Sequence, residues 1–220
     1  AAHFPPLFPL VLAAAGGLGP DPLEAVRWLH VFVLAGNVWL IAVMLYRASG
    51  SGWVILTGCL LFLLSPDMLF IHSMAYSEPL FLFWMLAGFF LMSEAFAARS
   101  TLRLVAAAFL WGLAFLTRYA GVTLLITGAA VLLFGLRISL RERLKKTGIF
   151  LVTGGLPVSI WLARNWLMEG TLANRSFSFH PVPVKHWLSG LDVLSQWLLS
   201  AQIPYPRSEE RRVGKECATG

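Results

Sequence analysis

A chain of 220 residues is long enough for one or two soluble domains, but 58% of it is hydrophobic, only 13% is charged, and its mean hydropathy is +0.73. Soluble domains carry roughly 25% charged residues, so this chain cannot cover a water-facing surface, and a soluble enzyme, a disordered segment, a collagen-like rod and a disulfide scaffold are all excluded. The net charge of +6, from 17 Lys and Arg against 11 Asp and Glu, is divided among short clusters between apolar runs, a pattern that orients helices in a bilayer and does not call for a nucleic-acid partner.

The chain opens Ala1-Ala2-His3-Phe4-Pro5-Pro6 with no Met and no signal peptide, and reads as a piece of something longer. Pro5 to Gly19 is apolar but too short for a span, and Pro9 and the Gly16-Gly17 pair weaken it as a helix. A span needs about 20 apolar residues. The first is predicted from Ala25 to Tyr46, the second from Trp53 past Pro66 to Ala75, and the third from Pro79 to Ala98. From Leu104 to Leu136 the only charge is Arg118. One helix of that length would measure about 50 Å against a hydrocarbon core of about 30 Å. Two short spans turning at Thr117-Arg118-Tyr119-Ala120-Gly121 are expected instead.

The last clear span runs from Gly148 to Leu167, kinked at Pro157. Beyond it, Trp187, Leu191, Leu194 and Leu198 repeat at helical spacing opposite Ser189, Asp192 and Gln196, as in a helix lying in the interface or the start of a further span. The expected fold class is therefore all-α: a polytopic transmembrane helix bundle of about six spans with exterior interfacial segments, over residues 1–206. The polar run 207–220, which begins RSEERRVGKEC, resembles translated vector or adapter sequence and is set apart as a non-native tail.

Arg47, the Arg99 and Arg103 pair, and the group Arg137, Arg141, Arg143, Lys145 and Lys146 lie in what read as short loops. They fall on one face only if the chain turns back at Arg118, and those loops are expected to be cytoplasmic. His3, Asp67, His72, Ser77, Glu78, Arg118, Tyr119, Arg164 and Asn165 then share the exterior ends. So does the loop from Glu169 to Lys185, with a glycosylation-acceptor pattern at Asn174-Arg175-Ser176.

An ionisable group near the hydrocarbon is a functional candidate by default. Arg118 offers a permanently charged planar fork suited to phosphate, and competes with the reading of an arginine that snorkels to headgroups. Arg164-Asn165, between Trp161 and Trp166, is a second exterior cation or an interfacial anchor. Ser77-Glu78-Pro79 has the composition of a helix start, with Glu78 also placed to orient a sugar hydroxyl or balance the arginines. Asp67 and His72 are candidate bases, Asp67 equally a turn residue after Pro66. Cys59 and Cys217 form no metal or redox spacing. The sequence contains no P-loop, GxSxG, HExxH or metal-ligand cluster, so no cofactor is evident, and a divalent metal is left open.

Taken in order, HFPPLFPL, SPDMLFIHSMAYSEPLF, GLAFLTRYAGVTLL, a basic segment and WLARNWLMEGTL resemble the GT-C glycosyltransferases over about Ala2 to Arg175. Within that superfamily the chain is similar to the protein O-mannosyltransferase and aminoarabinose-transferase group and to bacterial RgtA/B/C/D-like enzymes. The resemblance implies an integral enzyme, expected in the bacterial cytoplasmic membrane, that takes sugar from a polyprenyl-phosphate donor. The acceptor would be a lipid, glycan or protein of unknown identity, reached on the exterior face, with inversion at the anomeric carbon. Membrane lipids are further partners.

The resemblance also implies a catalytic acid in the first exterior loop, upstream of Ala1, so the catalytic residue itself is unknown and this chain alone is expected to be inactive. His3 and Pro5-Pro6 would lie near that base, Glu78 near the sugar or phosphate, and Arg118 and Arg164 on the lipid-linked phosphate. Tyr119 and Asn165 would supply hydrogen bonds. The physical logic agrees: a departing phosphate needs fixed cations and an attacking hydroxyl needs a base. Rival readings are a transporter or lipid flippase, or another lipid-linked-sugar enzyme such as a polysaccharide polymerase or ligase. A transporter should carry polar groups at mid-membrane, where here only Asn37, Thr57 and Thr127 fall, while Glu94 lies near a cytoplasmic span end.

Overall fold

A computed structural model describes residues 4–17, 19, 21–171, 186–187 and 189–191. The chain divides into two compact units, Ala1–Phe177 and Ser178–Gly220. In the second, His186, Trp187 and Ser189 to Leu191 are helical, with Trp187 and Leu191 exposed. The rest of the expected interfacial helix, the Asn174-Arg175-Ser176 pattern, the 207–220 tail and His3 lie outside the described residues. All remaining structure described belongs to the first unit, where every regular element is helical.

Helix α1 (Leu7–Gly16) forms despite Pro9, against the expectation of a weak segment. Pro9 is the third helical residue, in the first turn, where a missing N–H costs nothing. Helix α2 (Pro22–Ser49) starts at Asp21, whose side chain accepts from the Leu23 N–H at 3.4 Å, and stops at Gly50 with φ 64°. The second predicted span is broken: α3 (Gly52–Leu64) and α4 (Pro66–Ser73) meet at 58°. Pro66 lacks a donor and pushes Ser65 out of the helical region, to φ −66° and ψ 118°.

Helix α5 (Glu78–Ala97) and α6 (Thr101–Thr117) form an antiparallel pair, and α6 starts at Ser100, which accepts from the Arg103 N–H. After a 3₁₀ turn at Tyr119–Gly121, α7 (Val122–Ala130) and a π-helical turn (Val131–Gly135) return along α6. Gly128 then packs against Trp111 and Phe150. This is the hairpin expected from the length argument.

Helix α8 (Leu140–Glu169) runs from the Ser139 cap to Gly170, with Pro157 inside it. The basic segment expected as a loop is instead largely its first two turns. Only Arg137 precedes it, while Arg141, Arg143, Lys145 and Lys146 are helical. Arg143 donates back to the carbonyls of Leu133 (3.3 Å) and Ile138 (2.9 Å), groups that the π-helical turn and its exit leave without helical partners.

Helices α2, α5 and α8 are each long and apolar enough to cross a membrane, and the bent α3–α4 pair meets the same criterion when taken together, as a broken span or a re-entrant loop. Helix α6 and the stretch Tyr119–Gly135 are shorter apolar helices, at the lower edge of the roughly 17–25 residues a span requires. The core lies among α5, α6, α7 and α8 around Trp111, Phe150 and Leu132, all fully buried, with the Trp111 indole N–H donating to the Met85 carbonyl at 3.2 Å. The protein is an all-α integral membrane bundle.

Side-chain contacts fix which helix ends lie together. Arg47 of α2 and Arg103 of α6 both pair with Glu94 of α5, and Arg47 also covers the Phe90 ring at 5.0 Å. Helices α2 and α5 are therefore parallel, and α3 runs back along α2, with Gly58 against Leu45. The basic residues gather at one end of the bundle; Ser77, Glu78, Arg118 and Arg164 gather at the other. Glu94 joins three helices while only 17% exposed. Glu94→Ala is expected to lower stability by about 1 kcal/mol, discounted because both arginines are about half exposed. Thermal unfolding in detergent checks this, with Arg47→Ala in the Glu94→Ala background adding little.

Candidate functional site

The site is built where α5 begins and α6 ends. Ser77-Glu78-Pro79 starts α5 for ordinary reasons: Pro suits the first turn and the acid faces the helix's positive end. Helix α6 stops because Arg118 is extended, at φ −148° and ψ 136°, with its N–H still donating to the Ala114 carbonyl at 2.9 Å. The turn closes immediately. A Cβ on Gly121 would lie 2.4 Å from the Phe115 backbone nitrogen, so only glycine permits it.

This turn sends the Arg118 side chain across to α5. Its guanidinium forms a salt bridge with Glu78 and donates to Ser77 Oγ at 3.4 Å. Both charged side chains remain more than a third exposed, at 38% and 36%, and they line a cavity of about 610 Å³. The rest of its wall includes Phe4, Pro5, Phe8 and Pro9 from the N-terminal segment, Tyr76 from the α4–α5 linker, and Tyr119, whose ring meets Phe115 edge-on at 5.6 Å. A guanidinium carries five donors. The Glu78 carboxylate and the Ser77 hydroxyl both meet the Nη1 nitrogen, which ties down one end of the guanidinium in a cavity walled partly by prolines and aromatic rings.

Arg164 does not join this cavity. Its guanidinium stacks over the Trp161 ring at 5.1 Å, donates to Asn165 Oδ1 at 3.3 Å, and lines a second cavity of about 350 Å³ with Pro6, Leu116, Pro157, Ile160 and Trp161. The two cavities adjoin, since Pro5 and Thr117 line the first while Pro6 and Leu116 line the second. Arg118 and Arg164 thus line separate cavities and are not two arms of one clamp. Asn165 is fully buried beside Arg164.

The structure brings Glu78, Arg118 and Tyr119 together and sets Arg164 with Asn165 next door. His3 is outside the described residues, though Phe4 lines the cavity. Neither candidate base lines it. Asp67 is exposed in the first turn of α4, and His72 is buried, its Nδ1 donating to the Met68 carbonyl at 2.7 Å. Sequence reasoning missed His30, which is buried in α2 against the carbonyls of His72 and Tyr76. An ionisable residue inside a predicted span was the signal available. Among the described residues no three His, Cys, Asp or Glu side chains come together, so no residue set is assigned to a metal.

Compared with known families, residues 3–161 match the family described as dolichyl-phosphate-mannose-protein mannosyltransferase. The match covers the first cavity's described residues and stops short of Arg164 and Asn165. No curated protein and no solved structure matches the chain.

Proposed function

The chain belongs to the dolichyl-phosphate-mannose-protein mannosyltransferase family, and from that premise we propose that it moves a sugar from a polyprenyl-phosphate donor to a lipid, glycan or protein acceptor. It is an integral membrane glycosyltransferase of the GT-C type. Transfer takes place with inversion, at the exterior face of the bacterial cytoplasmic membrane. Residues 1–206 belong to the glycosyltransferase domain and residues 207–220 do not.

The observation that carries this reading is the Glu78–Arg118 pair facing a cavity beside an apolar one. The acceptor hydroxyl attacks the anomeric carbon, the bond from that carbon to the phosphate oxygen breaks, and the departing phosphate gains negative charge. Arg118, held in place beforehand, stabilises that charge without having to reorganise. Glu78 holds Arg118, and the hydroxyl proton passes to a general base other than Glu78. Tyr119 supplies a hydrogen bond at the sugar, with His3 a further substrate contact. The adjoining cavity at Ile160 and Trp161 suits the first isoprene units of the lipid, with Arg164 and Asn165 at its polar side.

The test is reconstitution of the full-length protein in proteoliposomes with polyprenyl-phosphate mannose labelled in the sugar. The expected result is release of polyprenyl phosphate with the sugar on acceptor in inverted configuration. Movement of intact donor between leaflets with no bond broken would instead make the protein a flippase and overturn the proposal. Glu78→Gln, which keeps the shape but removes the charge that orients Arg118, is expected to lower kcat/KM for the donor by about 10-fold or more. Steady-state kinetics with varied donor measures it.

A further inference from the structure

Helix α2 carries two buried polar residues, His30 and Asn37, that the transfer chemistry does not use. They are separated by two helical turns, so they project from the same face of α2. That face meets the chain on both sides of Glu78. His30 Nδ1 lies 3.0 Å from the His72 carbonyl oxygen and its Nε2 lies 3.1 Å from the Tyr76 carbonyl oxygen. Asn37 Nδ2 donates to the Pro79 carbonyl at 3.3 Å and lies 3.4 Å from His72 Nε2.

Each contact meets a need of the backbone. The His72 carbonyl belongs to the last turn of α4, where no later amide completes the helical ladder. The linker from Met74 to Ser77 must leave that turn and enter α5, and among its described internal bonds is only the Tyr76 N–H to the Met74 carbonyl at 2.8 Å. A neutral imidazole has one N–H, so His30 donates to one of these two carbonyls and rests its other ring nitrogen against the second; without it the buried His72 carbonyl or the part-buried Tyr76 carbonyl would lose its donor. Around the imidazole, Phe8 of α1 stacks at 6.2 Å and His72 of α4 stands edge-on at 6.3 Å. Phe8 and Tyr76 themselves line the cavity. The clamp therefore touches the site from behind on two sides without entering it.

We propose that His30 and Asn37 are positioning residues: from one face of α2 they clamp the chain before and after Glu78, and so set where Glu78 and Ser77 hold the Arg118 guanidinium. This rests on the glycosyl-transfer reading of the cavity, and the test separates the two.

His30→Phe keeps a ring for Phe8 to stack on and removes both nitrogens. His30→Gln restores a donor, since its amide N–H can serve the carbonyl that the imidazole N–H serves. Asn37→Leu removes the second half of the clamp at nearly constant volume. Each variant of the full-length protein is measured in two ways: amide hydrogen exchange over residues 73–79, and donor kinetics.

The expected result for His30→Phe and Asn37→Leu is exchange about tenfold faster in that segment, with the core of α6 unchanged. The donor KM rises and kcat falls less than KM rises. His30→Gln returns both readouts most of the way. Exchange at the native rate in both His30→Phe and Asn37→Leu overturns the clamp, whatever the protein's activity. Faster exchange with kcat and KM both native overturns the positioning role while leaving the transfer reading intact. A His30→Gln variant as impaired as His30→Phe overturns the role of the donor to the carbonyl. If His30→Phe does not fold, His30→Gln and Asn37→Leu carry the same comparison.

Discussion

Replacing Arg118 by Ala in the full-length protein is expected to reduce sugar transfer by about 10²–10³-fold, the range measured when one fixed donor to a developing anion is removed. The loss should appear in kcat, because the charge on the phosphate grows as the glycosidic bond breaks and Arg118 matters most there. Membrane insertion and thermal stability should change little. Arg118 is 38% exposed and its partners Glu78 and Ser77 both face the cavity, so water can take its place. Arg118→Lys should recover only part of the activity. It keeps the charge but loses the planar guanidinium, whose Nη1 is held by Glu78 and Ser77 while further N–H donors remain for phosphate. Radiolabelled-donor turnover measures both variants, and near-native activity in Arg118→Ala would remove Arg118 from the phosphate.

The largest effect on stability is expected at the crossing of α6 and α8. A Cβ on Gly112 would sit 2.6 Å from the Gly154 carbonyl oxygen and 3.0 Å from Pro157 Cγ. In a bilayer, helices associate largely through close van der Waals packing, and small residues let the backbones approach. Gly154 shows the reciprocal contact, since its Cβ would meet the Ala108 carbonyl oxygen at 2.8 Å. The nearest obstacle at Gly112 is backbone, which cannot rotate away as a side-chain tip can; at Gly154 the Leu125 side chain lies nearer still, at 2.6 Å. Gly112→Leu is expected to cost about 3 kcal/mol or more, at or beyond the upper end for an overpacked core. Gly155→Leu is the control, because a Cβ there meets nothing within 4 Å. Unfolding in mild detergent should show Gly112→Leu melting well below the native protein and Gly155→Leu close to it. Equal behaviour of the two would remove close helix approach as the explanation.

Much of the architecture was legible because its causes are local. The Leu104–Leu136 stretch exceeds the bilayer, and the fold turns it back at Tyr119–Gly121. The departures have local causes too, but ones that composition disguises. Pro66 breaks a run that hydropathy joins, and Pro9 is harmless because of where its helix begins. Arg141 to Lys146 read as a loop because they are charged, yet the Ser139 cap starts a helix through them. In the site, Glu78 and Arg118 stood out as charges at span ends, but forty residues separate them and nothing in their spacing says that they touch. Asp67 and His72 stood out in the same way and lie outside the cavity lining.

Residue order alone was enough for an all-α membrane bundle, the turn at Arg118 and the family to which the chain belongs. The bundle and its turn follow from the cost of placing charge or unpaired backbone in hydrocarbon, which is met residue by residue along the chain. The packed helices were needed to show that Arg118 meets Glu78 and Ser77, that Arg164 lines a separate cavity on Trp161, and that His30 and Asn37 brace the chain around Glu78. Those pairings depend on how closely helices approach at Gly112 and Gly154 and on the angle at which each helix stops. Such quantities are set by packing between segments far apart in sequence, where no periodicity records them.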